Sequence, residues 1–205
     1  MQIVETVRQT IIQFCTEFME HPYLCYTEHG QHALFYARLY NALSPEHRYT
    51  IWRGQKMGVV QKEYPTAGKL GKPQRQHWDI AVIKTPAESI AAESATYDYL
   101  KLTAVVEFGM NATAQHLKED VRRLVHREAN VIQGFVVHLY RLSKPGALFS
   151  NRDWSPNSSR ILLPKEVAEL SIGKPVEIYY GIADNTGKHP SGVWHIQQGE
   201  VTSLK

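Results

Sequence analysis

The stretch LTAVVEF, residues 102–108, is an almost continuous apolar run in which one carboxylate, Glu107, is embedded. Such a run is typical of a strand that is buried on both faces of a sheet. Apolar side chains then follow at helical spacing over residues 112–130, and GFVVHLY at 134–140 is a second buried run. A strand, a helix and a strand in this order predict two parallel strands joined by a crossover, and therefore an α/β fold.

The elements predicted around this unit fit one domain. Apolar spacing predicts helices over residues 2–19 and 28–43. The remaining predictions are strands at 49–53, 58–61, 78–83, 175–183 and 192–197, a short helix near 165–171, and loops over 66–76, 85–100 and 143–160. We expect an N-terminal helix within 1–26, a core over 27–142 and a β-rich C-terminal extension over 143–205.

Composition excludes several classes of protein. The 205 residues are 43% hydrophobic and 21% charged, as in an ordinary globular chain. No apolar run approaches the roughly 18 residues that span a bilayer, and the N-terminus lacks the pattern of a signal peptide. Cys15 and Cys25 form no metal-binding motif. We therefore expect a cytoplasmic protein with no membrane partner. The apolar face of the first helix either packs on the core or forms a homodimer interface.

The net charge of +3 hides an uneven distribution along the chain. Residues 48–84 carry eight basic side chains and only two acidic ones, Glu63 and Asp79. This segment is either a solvated face or a surface that contacts phosphates, and DNA is the expected partner. Tyr49 and Trp52 could stack on bases or pack in the core. The candidate nucleic-acid contacts are Arg53, Lys56, Lys62, Lys69, Lys72 and Arg75.

Two carboxylates interrupt predicted strands that are expected to be neighbours. Asp79 lies within WDIAVI, and Glu107 lies within the apolar run quoted above. A buried carboxylate is costly unless it is paired, hydrogen-bonded or bound to a metal ion. Asp79 could simply pair with Arg75 or His77. Together, however, the two carboxylates offer the oxygen ligands that Mg²⁺ or Mn²⁺ prefers.

The order of these elements resembles the PD-(D/E)XK, or restriction-endonuclease-like, nuclease superfamily. The resemblance covers about residues 27–142 and rests on VVQKEYPT (59–66), HWDIAVI (77–83) and VVEFG (105–109). It implies a restriction-endonuclease-like core with a central mixed β-sheet flanked by helices. The implied activity is metal-dependent hydrolysis of DNA phosphodiester bonds, with Mg²⁺ or Mn²⁺ as cofactor.

The resemblance also implies roles for individual residues. Asp79 matches the metal-binding aspartate, and Glu107 matches the acidic residue of the ExK half-motif. The main-chain carbonyl of Phe108 is implied as a third metal ligand. Glu28, near the start of the second helix, matches a helical glutamate that completes the site. Glu63 lies where several branches of the superfamily keep a further acid.

One position departs from the superfamily pattern. Gly109 stands where a catalytic lysine is expected. Gln115, Lys118 and Arg122 form a polar stripe on the third helix, from which Lys118 could reach Glu107 and replace that lysine. Lesser candidates are Lys62 and Lys84.

The alternative is a catalytically inactive relative that binds nucleic acid or a protein partner. Gly109 favours it, and it becomes the preferred interpretation if an arginine neutralises Glu107. The ten histidines show no metal-binding pattern such as HExxH and are interpreted as scattered.

Overall fold

The computed structural model describes residues 2–86, 100–142 and 161–204. The helices are α1 (Gln2–Glu20), α2 (Glu28–Ala42), α3 (Ala114–Leu124) and α4 (Pro164–Ala168), with 3₁₀ turns at Pro45–His47 and Glu169–Ser171. The strands are β1 (Tyr49–Trp52), β2 (Gln55–Gly58), β3 (Val60–Pro65), β4 (His77–Ile83), β5 (Leu102–Met110), β6 (Val131–Leu142), β7 (Val176–Asp184), β8 (Gly192–Gln197) and β9 (Glu200–Ser203). None of the described helices is long and apolar enough to cross a membrane.

Seven strands form one mixed sheet in the order β3-β4-β5-β6-β7-β8-β9. Strand β6 is parallel to both β5 and β7, and the other pairs are antiparallel. The parallel crossover predicted from strand β5, helix α3 and strand β6 is therefore confirmed, as is the α/β class. Strands β1 and β2 form a separate hairpin, whose turn residues Arg53 and Gly54 both have positive φ.

Helices α1 and α2 cover one face of the sheet. The apolar stripe of α1 is buried, with Phe14 edge-on to Phe35 of α2 and to Phe108 of β5. Because this stripe packs against its own chain, it is not an exposed homodimer interface. Of the two alternatives for the first helix, the structure shows packing on the core.

Helices α3 and α4 cover the opposite face. Leu117 and Val121 of α3 are buried there together with Trp78 of β4 and Val105 of β5. Thr113 begins α3, since its hydroxyl accepts a hydrogen bond from the amide of His116 at 3.2 Å. The helix is shorter than the predicted span of residues 112–130.

The described part of the C-terminal extension continues the same sheet rather than forming a separate lobe. Strand β7 pairs with β6 from Gly134↔Val176 to Leu142↔Asp184, and β8 and β9 follow as antiparallel neighbours. The loop predicted over 143–160, and residues 87–99 of the loop predicted over 85–100, lie outside the described residues.

A buried ion pair connects α1 to this part of the sheet. Nε and Nη2 of Arg8 donate to the two carboxylate oxygens of Glu177 in β7, at 3.0 and 2.8 Å. Nε2 of His195 in β8 lies 3.1 Å from the same carboxylate, and Glu177 is only 1% exposed. The contact thus fixes the N-terminal helix to strands more than 160 residues away.

Candidate metal centre

Asp79 lies where β4 and β5 cease to pair. The paired residues of the two strands run up to Ile80↔Val106, and Asp79 is the next residue of β4. Its Oδ2 accepts a hydrogen bond of 2.8 Å from the main-chain amide of Phe108. The side chain is 21% exposed. The end of the ladder therefore presents a partly accessible carboxylate beside the strand that carries Glu107.

Glu107 is almost fully buried and contacts Arg123 of α3. Nη2 of Arg123 lies 2.9 Å from its Oε1. The same nitrogen donates to the main-chain carbonyl of His77 at 2.6 Å, and the guanidinium lies over the ring of Trp78. Arg123, rather than Lys118, is thus the basic side chain that reaches Glu107.

The carboxyl groups of Asp79 and Glu107 influence each other electrostatically, and both have raised pKa values. Burial is the main cause for Glu107, whose pKa lies well above its ordinary value; the charge of Asp79 raises it further, while Arg123 opposes the shift. Burial also raises the pKa of Asp79, against the effect of His32. These two carboxyl groups resist being ionised at the same time. A divalent cation would stabilise the doubly ionised form.

His32 of α2 is a member of the site that the sequence interpretation overlooked. The side chain is 1% exposed, and among the described residues neither ring nitrogen has a hydrogen-bond partner. Nε2 lies 3.6 Å from Oδ2 of Asp79, and Nδ1 lies 3.8 Å from Oε1 of Glu63. Two ligands that are each about 2.1 Å from one ion lie roughly 3–4 Å apart. The spacing of His32 and Asp79 therefore fits a shared metal ion.

Glu28 and Glu63 complete a ring of carboxylates around His32. Glu28 precedes His32 by one helical turn, and its Oε2 accepts from the amide of Met110 at 2.9 Å. Glu63 has a φ of 54°, which for a non-glycine residue is an uncommon backbone conformation. Glu63 and His32, together with His29, place ligand atoms within 4.8 Å of one another. Burial lowers the pKa of His32 although these carboxylates oppose it, which favours the neutral imidazole that binds metals.

Phe108 contributes its amide to this site, as the donor to Asp79. Metal ligation by its main-chain carbonyl stays a prediction. Its side chain packs on the face of α2, with the ring centroid 5.2 Å from that of His32. The ring thereby supports the imidazole next to the carboxylates.

The space where a side chain of residue 109 would lie is filled by a residue of the neighbouring strand. The partner of Gly109 in β6 is His138, and a Cβ at position 109 would lie 2.5 Å from Nε2 and 2.7 Å from Nδ1 of that imidazole. Real side chains do not approach so closely. A lysine at position 109 would therefore require His138 to move.

This contact predicts a large cost for a single methyl group. We expect Gly109→Ala to lower the free energy of unfolding by about 1–3 kcal/mol, because the buried ring cannot retreat without repacking. In the His138→Ala background the same substitution should cost much less. Denaturant unfolding measures both values. Gly58→Ala is the matched control, since a Cβ there meets only atoms 3.5 Å away; equal costs at both glycines would contradict the prediction.

The polar stripe predicted on α3 does not coincide with the polar side chains of this helix that face the sheet. Lys118 and Arg122 are exposed, while Gln115 donates to Glu119 at 3.2 Å. The polar side chains that face the sheet belong instead to Asp120 and Arg123. A phase difference of one or two residues on a helix turns a side chain from the interior to solvent.

Most of the predicted nucleic-acid contacts are exposed, and several have partners in the chain. Lys72 pairs with Glu119 at 2.9 Å, and Lys62 lies 3.6 Å from Glu63. In the β1–β2 hairpin, the cations rest on aromatic rings. The guanidinium of Arg53 lies 5.3 Å from the ring centroid of Trp52, and Nζ of Lys56 lies 3.9 Å from that of Tyr49. Lys69 and Arg75 are exposed in the segment between β3 and β4.

Comparison with known proteins does not assign the chain to a family. No family model matches the chain. Neither a curated protein nor a solved structure is significantly similar to it. The resemblance to PD-(D/E)XK nucleases therefore stays a prediction, and the function must be argued from the site itself.

Proposed function

We propose that the protein is a metal-dependent nuclease that hydrolyses DNA phosphodiester bonds at the site centred on Asp79. The observation that carries the proposal is His32, a buried imidazole that has no hydrogen-bond partner among the described residues and lies between two carboxylates. Buried polar groups in folded proteins are nearly always satisfied, so an exception requires an explanation. A bound cation would provide one.

The topology supports the proposal. Helix α2, strands β3, β4 and β5, helix α3 and strand β6 occur in the order on which the proposed resemblance rests, and β5 and β6 are parallel. Asp79 and Glu107 come together at the edge where β4 and β5 separate. Shared architecture alone does not establish an activity, and the chemistry of the side chains adds the rest.

The side chains fit a divalent metal. His32 and Asp79, whose nearest ligand atoms lie 3.6 Å apart, would hold it, and Glu28, Glu63 and Glu107 are further acids around them. A bound ion of this kind lowers the pKa of water and stabilises negative charge on phosphate oxygens. A mixed imidazole and carboxylate set suits Mn²⁺ at least as well as Mg²⁺.

The protein's own groups prepare the site for a phosphodiester. Asp79 accepts a hydrogen bond from the amide of Phe108, and Glu107 lies 2.9 Å from Arg123, so both side chains have neighbours that orient them before substrate arrives. Lys62, beside Glu63 at the exposed side, can contact a phosphate. In hydrolysis a water oxygen bonds to phosphorus, the bond to one ester oxygen breaks, and that oxygen takes up a proton.

The test is cleavage of supercoiled and linear plasmid DNA by the purified protein. We expect cleavage with Mn²⁺ or Mg²⁺ and none after chelation with EDTA, with recovery when the metal is restored. Heat-inactivated protein is the control for a contaminating nuclease. Absence of cleavage under every metal condition would contradict the proposal.

A second candidate is a non-catalytic protein that uses the same fold to bind nucleic acid. Two observations favour it: Nη2 of Arg123 lies 2.9 Å from Oε1 of Glu107, and no lysine stands at position 109. In this case DNA binding should persist in EDTA and fall steeply with salt, because phosphate contacts release counterions. Gel shifts in EDTA, beside the cleavage assay, separate the two functions.

A further inference from the structure

A second group of potential metal ligands lies beneath α3, on the far side of Arg123 from Glu107. Asp120 of α3 is 1% exposed, and its Oδ2 lies 2.9 Å from Nε2 of His138 in β6. The same oxygen lies 3.3 Å from Nε2 of His116, one helical turn earlier. All three ligand atoms are within 4.8 Å of one another.

We propose that His116, Asp120 and His138 form a binding site for a transition-metal ion of the Zn²⁺ class. Zn²⁺ binds imidazole nitrogens and carboxylate oxygens at about 2.0–2.2 Å, in tetrahedral geometry. Two ligands in that geometry lie roughly 3.3 Å apart, which the measured separations from Asp120 approach. Three protein ligands leave one coordination position open, and His116 places that position near the surface because its side chain is 44% exposed.

The placement of His138 is the independent support for this site. The imidazole is fully buried, and its Nδ1 has no hydrogen-bond partner among the described residues. The ring also occupies space that exists only because residue 109 is glycine. This packing directs Nε2 toward Asp120 and leaves the ring little room to turn.

This site differs from the one centred on Asp79 in both position and ligand chemistry. The guanidinium of Arg123 separates them, with Nη1 3.8 Å from Oδ1 of Asp120 and Nη2 2.9 Å from Glu107. Two imidazoles and one carboxylate favour Zn²⁺, Co²⁺ or Ni²⁺ over Mg²⁺. The inference does not depend on nuclease activity, since these residues can bind an ion whether or not DNA is cleaved.

The test is calorimetric titration of the metal-free full-length protein with Zn²⁺. His116→Ala is the main variant, because its partly exposed side chain can be removed with little effect on folding. We expect this change to weaken binding at one Zn²⁺ equivalent by about 100-fold or more. His32→Ala should leave that equivalent intact, since it removes a ligand only from the other site.

Two further measurements make the outcome decisive. His21→Ala, at an exposed histidine after α1, should titrate like the wild type. Replacing Zn²⁺ with Co²⁺ should give the visible absorption of a four-coordinate ion, and His116→Ala should lose it. Zn²⁺ binding that is absent from the wild type, or unchanged in His116→Ala, would overturn the proposal; in that case Asp120 and His138 form only a buried hydrogen bond.

Discussion

Asp79→Asn is expected to abolish metal-dependent DNA cleavage while leaving the protein at least as stable as the wild type. The amide keeps an oxygen that can accept the hydrogen bond from Phe108 but carries no charge for a metal ion. Loss of such a charged group should reduce the cleavage rate at least about 100–1000-fold. Because Asp79 and Glu107 compete for negative charge in a buried site, neutralising one of them relieves that repulsion.

The measurement combines initial cleavage rates with thermal unfolding of the same samples. Glu46→Gln is the matched control, because Glu46 is an exposed carboxylate in the 3₁₀ turn between α2 and β1 and should affect neither quantity. A variant that loses stability in proportion to activity would show that Asp79 is structural. Unchanged cleavage in Asp79→Asn would exclude Asp79 as a metal ligand for the reaction.

Arg8→Met is expected to lower the free energy of unfolding at pH 7 by about 3 kcal/mol. Among the residues that the structure describes, the substitution leaves the buried Glu177 carboxylate with His195 and Tyr179 as its side-chain partners. Removing one member of a buried pair is strongly destabilising because the other charge stays desolvated. Arg38→Met is the matched control: Arg38 pairs with Glu17, both are about a third exposed, and the loss should stay below about 1 kcal/mol.

The same pair predicts how stability depends on pH. Burial would raise the pKa of Glu177, but hydrogen bonds from His195 and Arg8 outweigh it and bring the pKa from the ordinary 4.5 to about 2. The stabilisation is therefore complete above pH 4.5 and lost as the pH falls toward 2. The difference between wild type and Arg8→Met should shrink over this range. A difference that stays constant from pH 7 to pH 2 would show that packing, rather than charge, carries the effect.

The architecture was largely predictable because it follows from periodic apolar patterns. The almost continuous apolar run that contains Glu107 and the amphipathic spacing of α1 each predict one element without knowledge of its neighbours. Asp79 was predictable for a related reason, since a charge inside an apolar strand is visible in the sequence. The strand predicted at 58–61 spans the end of β2 and the start of β3, because a single residue, Val59, separates these two strands.

The rest of the site depends on contacts between elements that no local pattern reveals. His32 shares a helix turn with Glu28, and this spacing was the available signal, but only the packing of α2 places it against Asp79. The rotational position of α3, a short and highly charged helix, decides that Asp120 and Arg123 face the sheet while Lys118 faces solvent. The sequence pattern alone does not fix this position. His138 lies in a buried strand, where its link to Gly109 depends on the register between β5 and β6.

The close approach of His138 to Gly109 constrains how this chain can change over generations. A side chain at position 109 is tolerated only once the ring at 138 has become smaller, so the order of the two substitutions matters. This is epistasis between neighbouring strands: the first step toward a lysine here is much more harmful unless the second has preceded it. Directed evolution that samples single substitutions should therefore fail to install that lysine, whereas a library that varies both positions together should recover it.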